Sequence, residues 1–255
     1  MTTGPIRIKS GETLHDVWAV GDGGPTFLPD PGATGWTVDR FHLESPAPAV
    51  GDPREAYRAV SIYIQGGSGT IRNGHFSDTA AAVYAEGMEG RLVVERVHIS
   101  GVRWNRPRAV GIQLNGCTGG CIIDTLVSDA SLRLGGIEDH VSIFNGRASK
   151  QNPHEVRNSW FRGGQGSGHE PGKEHTGCGI NFGDGGGAWA HIHHNVLVEI
   201  ANAAMGVGGT DATINDNLIW ACGAPSTQSR SALVLYDAAD RVQIMRNRSL
   251  VLNHI

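Results

Sequence analysis

One short pattern of residues recurs along this chain and constrains its fold more than any other feature. An aliphatic residue is followed by three mostly polar residues, and a second aliphatic or aromatic residue comes five or six positions after the first. The pattern occurs eight times, beginning at Val38, Ile71, Val94, Ile122, Val156, Ile192, Ile214 and Ile244. Neighbouring occurrences begin 22 to 36 residues apart. This spacing is typical of a solenoid, in which strands repeat and loops vary in length.

A second run, in which apolar residues alternate with others, precedes each of the last seven patterns. Its paired residues, which we expect to face inward, are Ile62/Ile64, Val83/Ala85, Ile112/Leu114, Val141/Ile143, Ile180/Phe182, Val207/Gly209 and Leu233/Leu235. We call this run the first strand of each coil. Four residues after its first inward residue stands a turn former in every case: Gly66, Gly87, Gly116, Asn145, Asp184, Asp211 and Asp237.

Short polar side chains occupy one corner of the last four coils. The fourth position of the recurring pattern is Ser159, Asn195, Asn217 and Asn247. Amides that stack at the same corner can bond the backbone of the coils above and below. The sequence therefore predicts an internal ladder with a structural role.

Coils of this length, an asparagine ladder and variable loops around a regular first strand resemble the pectin-lyase-like superfamily of right-handed parallel β-helix proteins. The predicted fold is all-β, a solenoid of about eight coils over residues 36–255, with residues 1–35, rich in Gly and Pro, as an N-terminal cap. A β-sandwich is disfavoured because regular hairpin turns are missing. The superfamily includes polysaccharide lyases, glycoside hydrolases, uronate epimerases and viral tailspikes, so the fold does not choose among activities.

Charge and hydropathy narrow the classes of partner. The chain has 21 basic and 25 acidic residues, which disfavours nucleic acid as a partner. No apolar run approaches the roughly 20 residues of a membrane span, and residues 1–10 lack the pattern of a secretory signal. The resemblance nevertheless implies an extracellular or periplasmic protein. The four cysteines are interpreted as small buried residues, because their spacing fits neither a disulfide framework nor a zinc site.

The resemblance places polysaccharide along the outer face of the first-strand sheet, between flanking loops. Long insertions at 146–155 and 162–177 locate the site over coils three to five. The candidate substrate-binding residues on the sheet are Tyr84, Glu86, Gln113, Asn115 and Asn181, and those in the loops are Arg103, Arg106, Arg108 and His169. Amides and tyrosines suit sugar hydroxyls, while a solvated sheet face has a similar composition.

The leading functional hypothesis is a lyase that acts on a uronate-containing polysaccharide. Such an enzyme needs a base for the proton next to the carboxylate, and donors that stabilise the developing negative charge. Lys173 or His175 is the candidate base. Asn152-Pro-His-Glu155 resembles the Asp-Pro-His-Glu motif of mannuronan epimerases, with Asn at its first position, which makes His154 a further catalytic candidate.

Two alternatives remain open. Asp184, Asp211 and Asp237 are predicted to stack in one column, where they could bind Ca²⁺, serve as the paired carboxylates of a glycoside hydrolase, or cap turns. No other cofactor is expected. The second alternative is a non-catalytic carbohydrate-binding or tailspike-like β-helix. Residues 249–255 contain no polar segment that would cover the last coil, so end-to-end self-association is expected there.

Overall fold

Parallel pairing of short strands builds the whole of the regular structure. The computed structural model describes residues 5–21, 24–45, 60–79, 81–102, 110–130, 137–164, 178–200, 202–222, 231–236 and 238–250. These contain 22 strands and no helix, so no described helix is long and apolar enough to cross a membrane. The strands form two sheets, and the arrangement is consistent with the predicted parallel β-helix.

The first sheet contains nine strands, one from each successive repeat of the chain. In sheet order they are β1 (Ile6–Ile8), β3 (Phe27–Pro29), β5 (Val60–Gln65), β7 (Ala81–Glu86), β9 (Val110–Asn115), β11 (Asp139–Phe144), β14 (Ile180–Phe182), β17 (Met205–Val207) and β20 (Leu233–Leu235). β1 and β3 belong to the predicted cap segment, so the sheet runs across residue 35 without a break.

The second sheet contains thirteen strands, and nine of them form its main path. These nine are β2 (Thr13–Val20), β4 (Trp36–Ser45), β6 (Gly69–Thr79), β8 (Leu92–Ser100), β10 (Ile122–Ala130), β12 (His154–Arg157), β15 (Ala188–His193), β18 (Thr210–Asn215) and β21 (Gln243–Met245). The other four, β13 (Trp160–Gly163), β16 (Val196–Val198), β19 (Leu218–Trp220) and β22 (Arg248–Leu250), continue the far ends of the long strands.

Each repeat of the second sheet bends at one residue with left-handed backbone. The nine corner residues are Asp16, Arg40, Asn73, Arg96, Thr125, Asn158, His194, Asp216 and Arg246, with φ between 49° and 57°. None of the nine is glycine, although left-handed backbone is costly for other residues. Stacked partners compensate: Arg40 donates two hydrogen bonds to Asp16, at 2.7 and 2.8 Å, and Arg246 pairs with Asp216.

Inward-facing aliphatic residues of both sheets form the core. In the first sheet Ile62, Val83, Ile112, Val141 and Ile180 stack in register, and all five are 0% exposed. Burial of one such side chain stabilises the fold by about 1.5–3 kcal/mol. The four cysteines are buried free thiols, as predicted.

The predicted register of the first strands is confirmed in six of the seven coils and is wrong in the sixth coil. Met205 pairs with Ile180, and Val207 pairs with Phe182, whereas the sequence pattern had aligned Val207 with Ile180. The segment contains Gly206, Gly208 and Gly209, which have no side chain to mark the alternation. A predicted register that is shifted by two residues keeps the same side chains facing inward. The alternation of apolar and polar residues therefore does not reveal the error. In β10, the inward residue that pairs with Val94 is Ile123, not Ile122.

The polar corner ladder is confirmed. The Oδ1 atom of Asn195 accepts from the backbone N–H of Ser159 at 3.1 Å, and that of Asn217 accepts from Asn195 at 3.0 Å. Asn247 does the same for Asn217 at 2.9 Å. Ser159, Asn195 and Asn217 are at most 2% exposed, so the ladder satisfies backbone groups that water does not reach.

Two histidines are buried in the interior and neutral. His140 contacts the Ser128 hydroxyl at 2.7 Å and the Gly163 carbonyl at 3.1 Å, and it is 0% exposed. His154, also 0% exposed, accepts from the backbone N–H of Cys121 and donates to the Cys117 carbonyl, both at 3.2 Å. Burial lowers the pKa of each imidazole to about 4.

Acidification is expected to destabilise the fold through these two histidines. The unfolded chain takes up their protons near pH 6.5 and the folded chain only near pH 4, so stability falls as the pH decreases through this window. Each residue contributes up to about 3 kcal/mol. The His154→Gln variant, which cannot be protonated, should lose less stability than the wild type between pH 7 and 4.5 in urea unfolding. A His191→Gln control, at a partly exposed position on the second sheet, should follow the wild type. Equal pH dependence of the wild type and His154→Gln would contradict the expectation.

Candidate active site

The outer face of the first sheet carries two columns of outward side chains. Tyr63, Tyr84, Gln113, Ser142 and Asn181 lie in register in one column. Gln65, Glu86, Asn115 and Phe144 form the second. The five sheet residues predicted to bind substrate therefore lie on one face. Neighbouring strands of a sheet are about 4.8 Å apart, so an extended ligand along this face would meet one repeat after another.

Direct contacts connect the polar groups of the first repeats on this face. The Tyr63 hydroxyl donates to Glu86 Oε2 at 2.9 Å, and Asn115 Nδ2 donates to the Tyr84 hydroxyl at 3.1 Å. The two tyrosine rings lie 5.7 Å apart. Partial burial and the Glu86 carboxylate raise the pKa of Tyr63 to about 12, so the phenol stays neutral. This end of the face offers neutral hydroxyl and amide groups and one carboxylate.

A buried carboxyl lies farther along the same face, at the start of β11. Asp139 pairs with Val110, which packs with Val60 and Ala81 in a small apolar cluster. The side chain is 5% exposed. The Cys178 backbone N–H donates to its Oδ1 atom at 2.6 Å, and Asn181 Nδ2 donates to Oδ2 at 3.3 Å. We call Asp139, Cys178, Asn181 and Tyr236 the Asp139 cluster.

Burial raises the pKa of Asp139 to about 7. The carboxylates of Glu138 and Asp184 act on this pKa in the same direction as burial, while the hydrogen bonds from Cys178 and Asn181 act in the opposite direction. The carboxyl group therefore titrates near neutral pH, well above the usual range of aspartate. A carboxyl group in this state is suited to general acid or base catalysis.

Tyr236 and Cys178 complete the cluster. The Tyr236 hydroxyl lies 4.0 Å from Cys178 Sγ, and burial is the main cause that raises the pKa of both groups. A methyl group at Gly206 would lie 2.7 Å from the Tyr236 hydroxyl, so a glycine there makes room for it. Asn181 is 8% exposed, and its Oδ1 atom has no hydrogen-bond partner within the described ranges. A buried acceptor of this kind is available to a hydroxyl donor of a ligand.

His154 does not lie on this face. The structure places His154 in the interior, where both of its ring nitrogens bond backbone groups and its side chain is 0% exposed, so it is not brought together with the other candidates. Seven other candidates lie outside the described residues: Arg103, Arg106, Arg108, His169, Lys173, His175 and Asp237.

The predicted column of aspartates does not form at Asp211. Because β17 pairs through Met205 and Val207, Gly209 takes the position after the strand that the sequence alignment had given to Asp211. Asp211 lies in β18 of the second sheet, where Arg241 donates to both of its carboxylate oxygens at 2.7 Å. In the part of the chain that the structure describes, no three His, Cys, Asp or Glu residues are placed to hold a metal ion. Of the three residues proposed to bind Ca²⁺, Asp211 therefore does not share a column with Asp184, and Asp237 lies outside the described residues.

Sequence reasoning missed Asp139, although a signal for it exists. The residue two positions before the first inward residue of each coil is Val60, Ala81, Val110 and then Asp139. A carboxylic acid at a position that holds small aliphatic residues in three preceding coils is costly unless it is bonded or functional. Comparisons of the chain with protein-family models, with curated proteins and with solved structures find no match.

Proposed function

We propose that this protein is a right-handed parallel β-helix of the pectin-lyase-like kind that cleaves a polysaccharide on the outer face of its first sheet. The Asp139 cluster carries the proposal. It combines a carboxyl whose pKa is about 7, an unpaired amide oxygen and a tyrosine, next to a face of tyrosines and amides. Clustered groups of this kind are characteristic of sites that bind sugars and transfer protons.

Hydrolysis of a glycosidic bond is the reaction that this chemistry supports best. Protonated Asp139 donates its proton to the glycosidic oxygen, the bond from that oxygen to the anomeric carbon breaks, and the leaving sugar departs as an alcohol. Asp184 takes a proton from the water that adds to the anomeric carbon. The charge of Asp184 is among those that raise the pKa of Asp139. The net change is hydrolysis: Asp184 releases to solvent the proton that it took from water, and Asp139 recovers its proton from solvent.

A uronate lyase remains the second candidate, with Lys173 or His175 as its base. Hydrolysis is preferred because the charged groups that act on Asp139 include Glu138 and Asp184, which are both acids. Negative charge around the site disfavours a uronate carboxylate and disfavours the enediolate that a lyase must stabilise. For the same reason we expect a neutral polysaccharide to be a better substrate than an acidic one.

A product assay distinguishes the reactions. The protein is incubated with neutral and acidic polysaccharides, with and without Ca²⁺, and both reducing ends and ultraviolet absorbance of unsaturated sugars are recorded. New reducing ends without unsaturated products are expected. Unsaturated products would instead indicate the lyase, and a strict Ca²⁺ requirement would restore the calcium hypothesis.

A non-catalytic carbohydrate-binding β-helix is the remaining alternative, and one observation favours it. Apolar residues of the last strands are about half exposed: Leu235 is 50%, Ile244 is 47% and Leu250 is 57% exposed. Such an edge suits end-to-end self-association. Binding of a polysaccharide without any product would support this alternative over the hydrolase.

A further inference from the structure

Three histidines form a row on the outer face of the second sheet, away from the Asp139 cluster. His42 of β4, His75 of β6 and His98 of β8 pair in register. The ring centroids of His42 and His75 are 4.8 Å apart at an interplanar angle of 89°, and those of His75 and His98 are 4.7 Å apart at 13°. Rings this close repel each other when both are protonated.

A hollow of about 420 Å³ opens beside this row, above the corners of β6, β8 and β10. His75, His98, Arg96, Asn73, Thr125 and Val127 contribute to its lining. We call it the histidine hollow. Its polar lining consists of two imidazoles, a guanidinium, an amide and a hydroxyl, and no carboxylate belongs to the described lining.

Several side chains that line the histidine hollow have nitrogen atoms that make no hydrogen bond to the described residues. Arg96 uses Nε for Asn73 Oδ1 at 2.7 Å and Nη2 for Glu95 Oε1 at 2.5 Å, so Nη1 makes no hydrogen bond within the described residues. His75 uses Nε2 with the Ser100 hydroxyl at 2.8 Å. His98 has no hydrogen bond with another described side chain, and its ring stacks on that of His75.

We propose that the histidine hollow binds an oxyanion, such as a phosphate, a sulfate or a carboxylate. A guanidinium and protonated imidazoles are donors that oxyanions bind through charge-assisted hydrogen bonds, and Nη1 of Arg96 has no partner among the described residues. The acids near the row already have basic partners. Glu44 contacts His42 at 3.2 Å, Glu95 contacts Arg96, and Asp124 contacts Arg157 at 2.9 Å. Asp129 of β10 lies in register with Ser100 and also has a partner.

Oxyanion binding at this site is coupled to proton uptake. Burial, and then the charges of His98 and His42, lower the pKa of His75, whereas Glu44 raises it. A bound anion would favour the protonated form of His75 and oppose this lowering of its pKa. Affinity should therefore rise as the pH decreases through the titration range of histidine.

Histidine NMR signals provide the test. The folded protein is titrated with sodium sulfate and sodium phosphate, and with sodium chloride at equal ionic strength, at pH values of about 5.5 and about 8. Sulfate and phosphate should shift the His75 and His98 signals saturably at the lower pH, with at least about tenfold weaker binding at the higher pH. Glucuronate and a sulfated monosaccharide, tested alongside, show which source of the oxyanion fits.

Two variants locate the binding. Arg96→Gln and His98→Gln should each weaken sulfate binding about tenfold or more. Arg246→Gln is the matched control, because Arg246 occupies the equivalent corner farther along the sheet and pairs with Asp216. The proposal is overturned if sulfate and phosphate shift the signals no more than chloride does, or if Arg96→Gln and His98→Gln both bind like the wild type. Glycosidase activity does not enter this test, so either proposal can fail without the other.

Discussion

Replacement of Asp139 by Asn is expected to lower kcat on a cleaved polysaccharide by about 100- to 1,000-fold, because the variant has no proton to donate to the glycosidic oxygen. The wild-type rate should fall as the pH rises through about 7, since the pKa of Asp139 is about 7 and only its protonated form is the acid. Initial rates of reducing-end release between pH 5 and 9 measure both effects. Asp139→Asn should lose most of its activity, and its remaining rate should no longer decrease as the pH rises through about 7.

Stability measurements separate this loss from unfolding. The pKa of Asp139 is raised from 3.8 to about 7 by folding, so the folded wild type loses stability as the pH rises through this interval. Asparagine avoids that cost, and Asn181 can rotate its amide so that the unpaired oxygen accepts from the new Nδ2. Asp139→Asn should therefore be more stable than the wild type at pH 8, by an order of 2–4 kcal/mol.

Asp211→Asn is the matched control, because Asp211 lies on the second sheet and pairs with Arg241. Its kcat should stay within about twofold of the wild-type value, because it does not contact the site. If Asp139→Asn kept wild-type kcat, Asp139 would not be the proton donor. Loss of activity together with lower stability at pH 8 would indicate a structural role.

Replacement of Asn217 by Ala should destabilise the fold by about 3–5 kcal/mol, since it leaves several buried backbone groups without partners. Asn217 is 2% exposed. Its Oδ1 atom accepts from the backbone N–H of Asn195, and its Nδ2 atom donates to the carbonyls of Ile192 and Asn215 and to Asn247 Oδ1. The variant therefore interrupts the ladder at its centre.

Urea unfolding at neutral pH measures this effect. Asn215→Ala is the control, because Asn215 belongs to the same repeat but its side chain is partly exposed and bonds only the neighbouring Asp216 among the described residues. It should cost less than about 1 kcal/mol. A similarly small cost for Asn217→Ala would mean that the ladder contributes little beyond its backbone turns.

The sequence reveals the ladder and most first strands because their signals are local. Asn195, Asn217 and Asn247 recur at one position of a repeated pattern, and inward residues such as Ile112 and Leu114 alternate with a period of two. Parallel stacking of identical units places equivalent positions on top of one another, so a column in the alignment becomes a column in space. The outward residues Tyr84, Glu86, Gln113 and Asn115 were located in the same way.

Other features depended on tertiary structure. The predicted register of the sixth coil was wrong by two residues, because its glycines carry no apolar-polar alternation. For the same reason Asp211 does not share with Asp184 the column that the sequence pattern had predicted. His154 looked catalytic in its segment, but its environment is formed by Cys117 and Cys121, more than 30 residues earlier.

By itself the sequence determined the all-β repeat, its inward faces and its amide corner, since alternation and repeat position are properties of neighbouring residues. Tertiary structure alone decided the Asp139 cluster. The pKa of that carboxyl depends on burial and on groups of other repeats, Cys178, Asn181 and Asp184, whose distance from Asp139 is set by stacking and not by spacing along the chain.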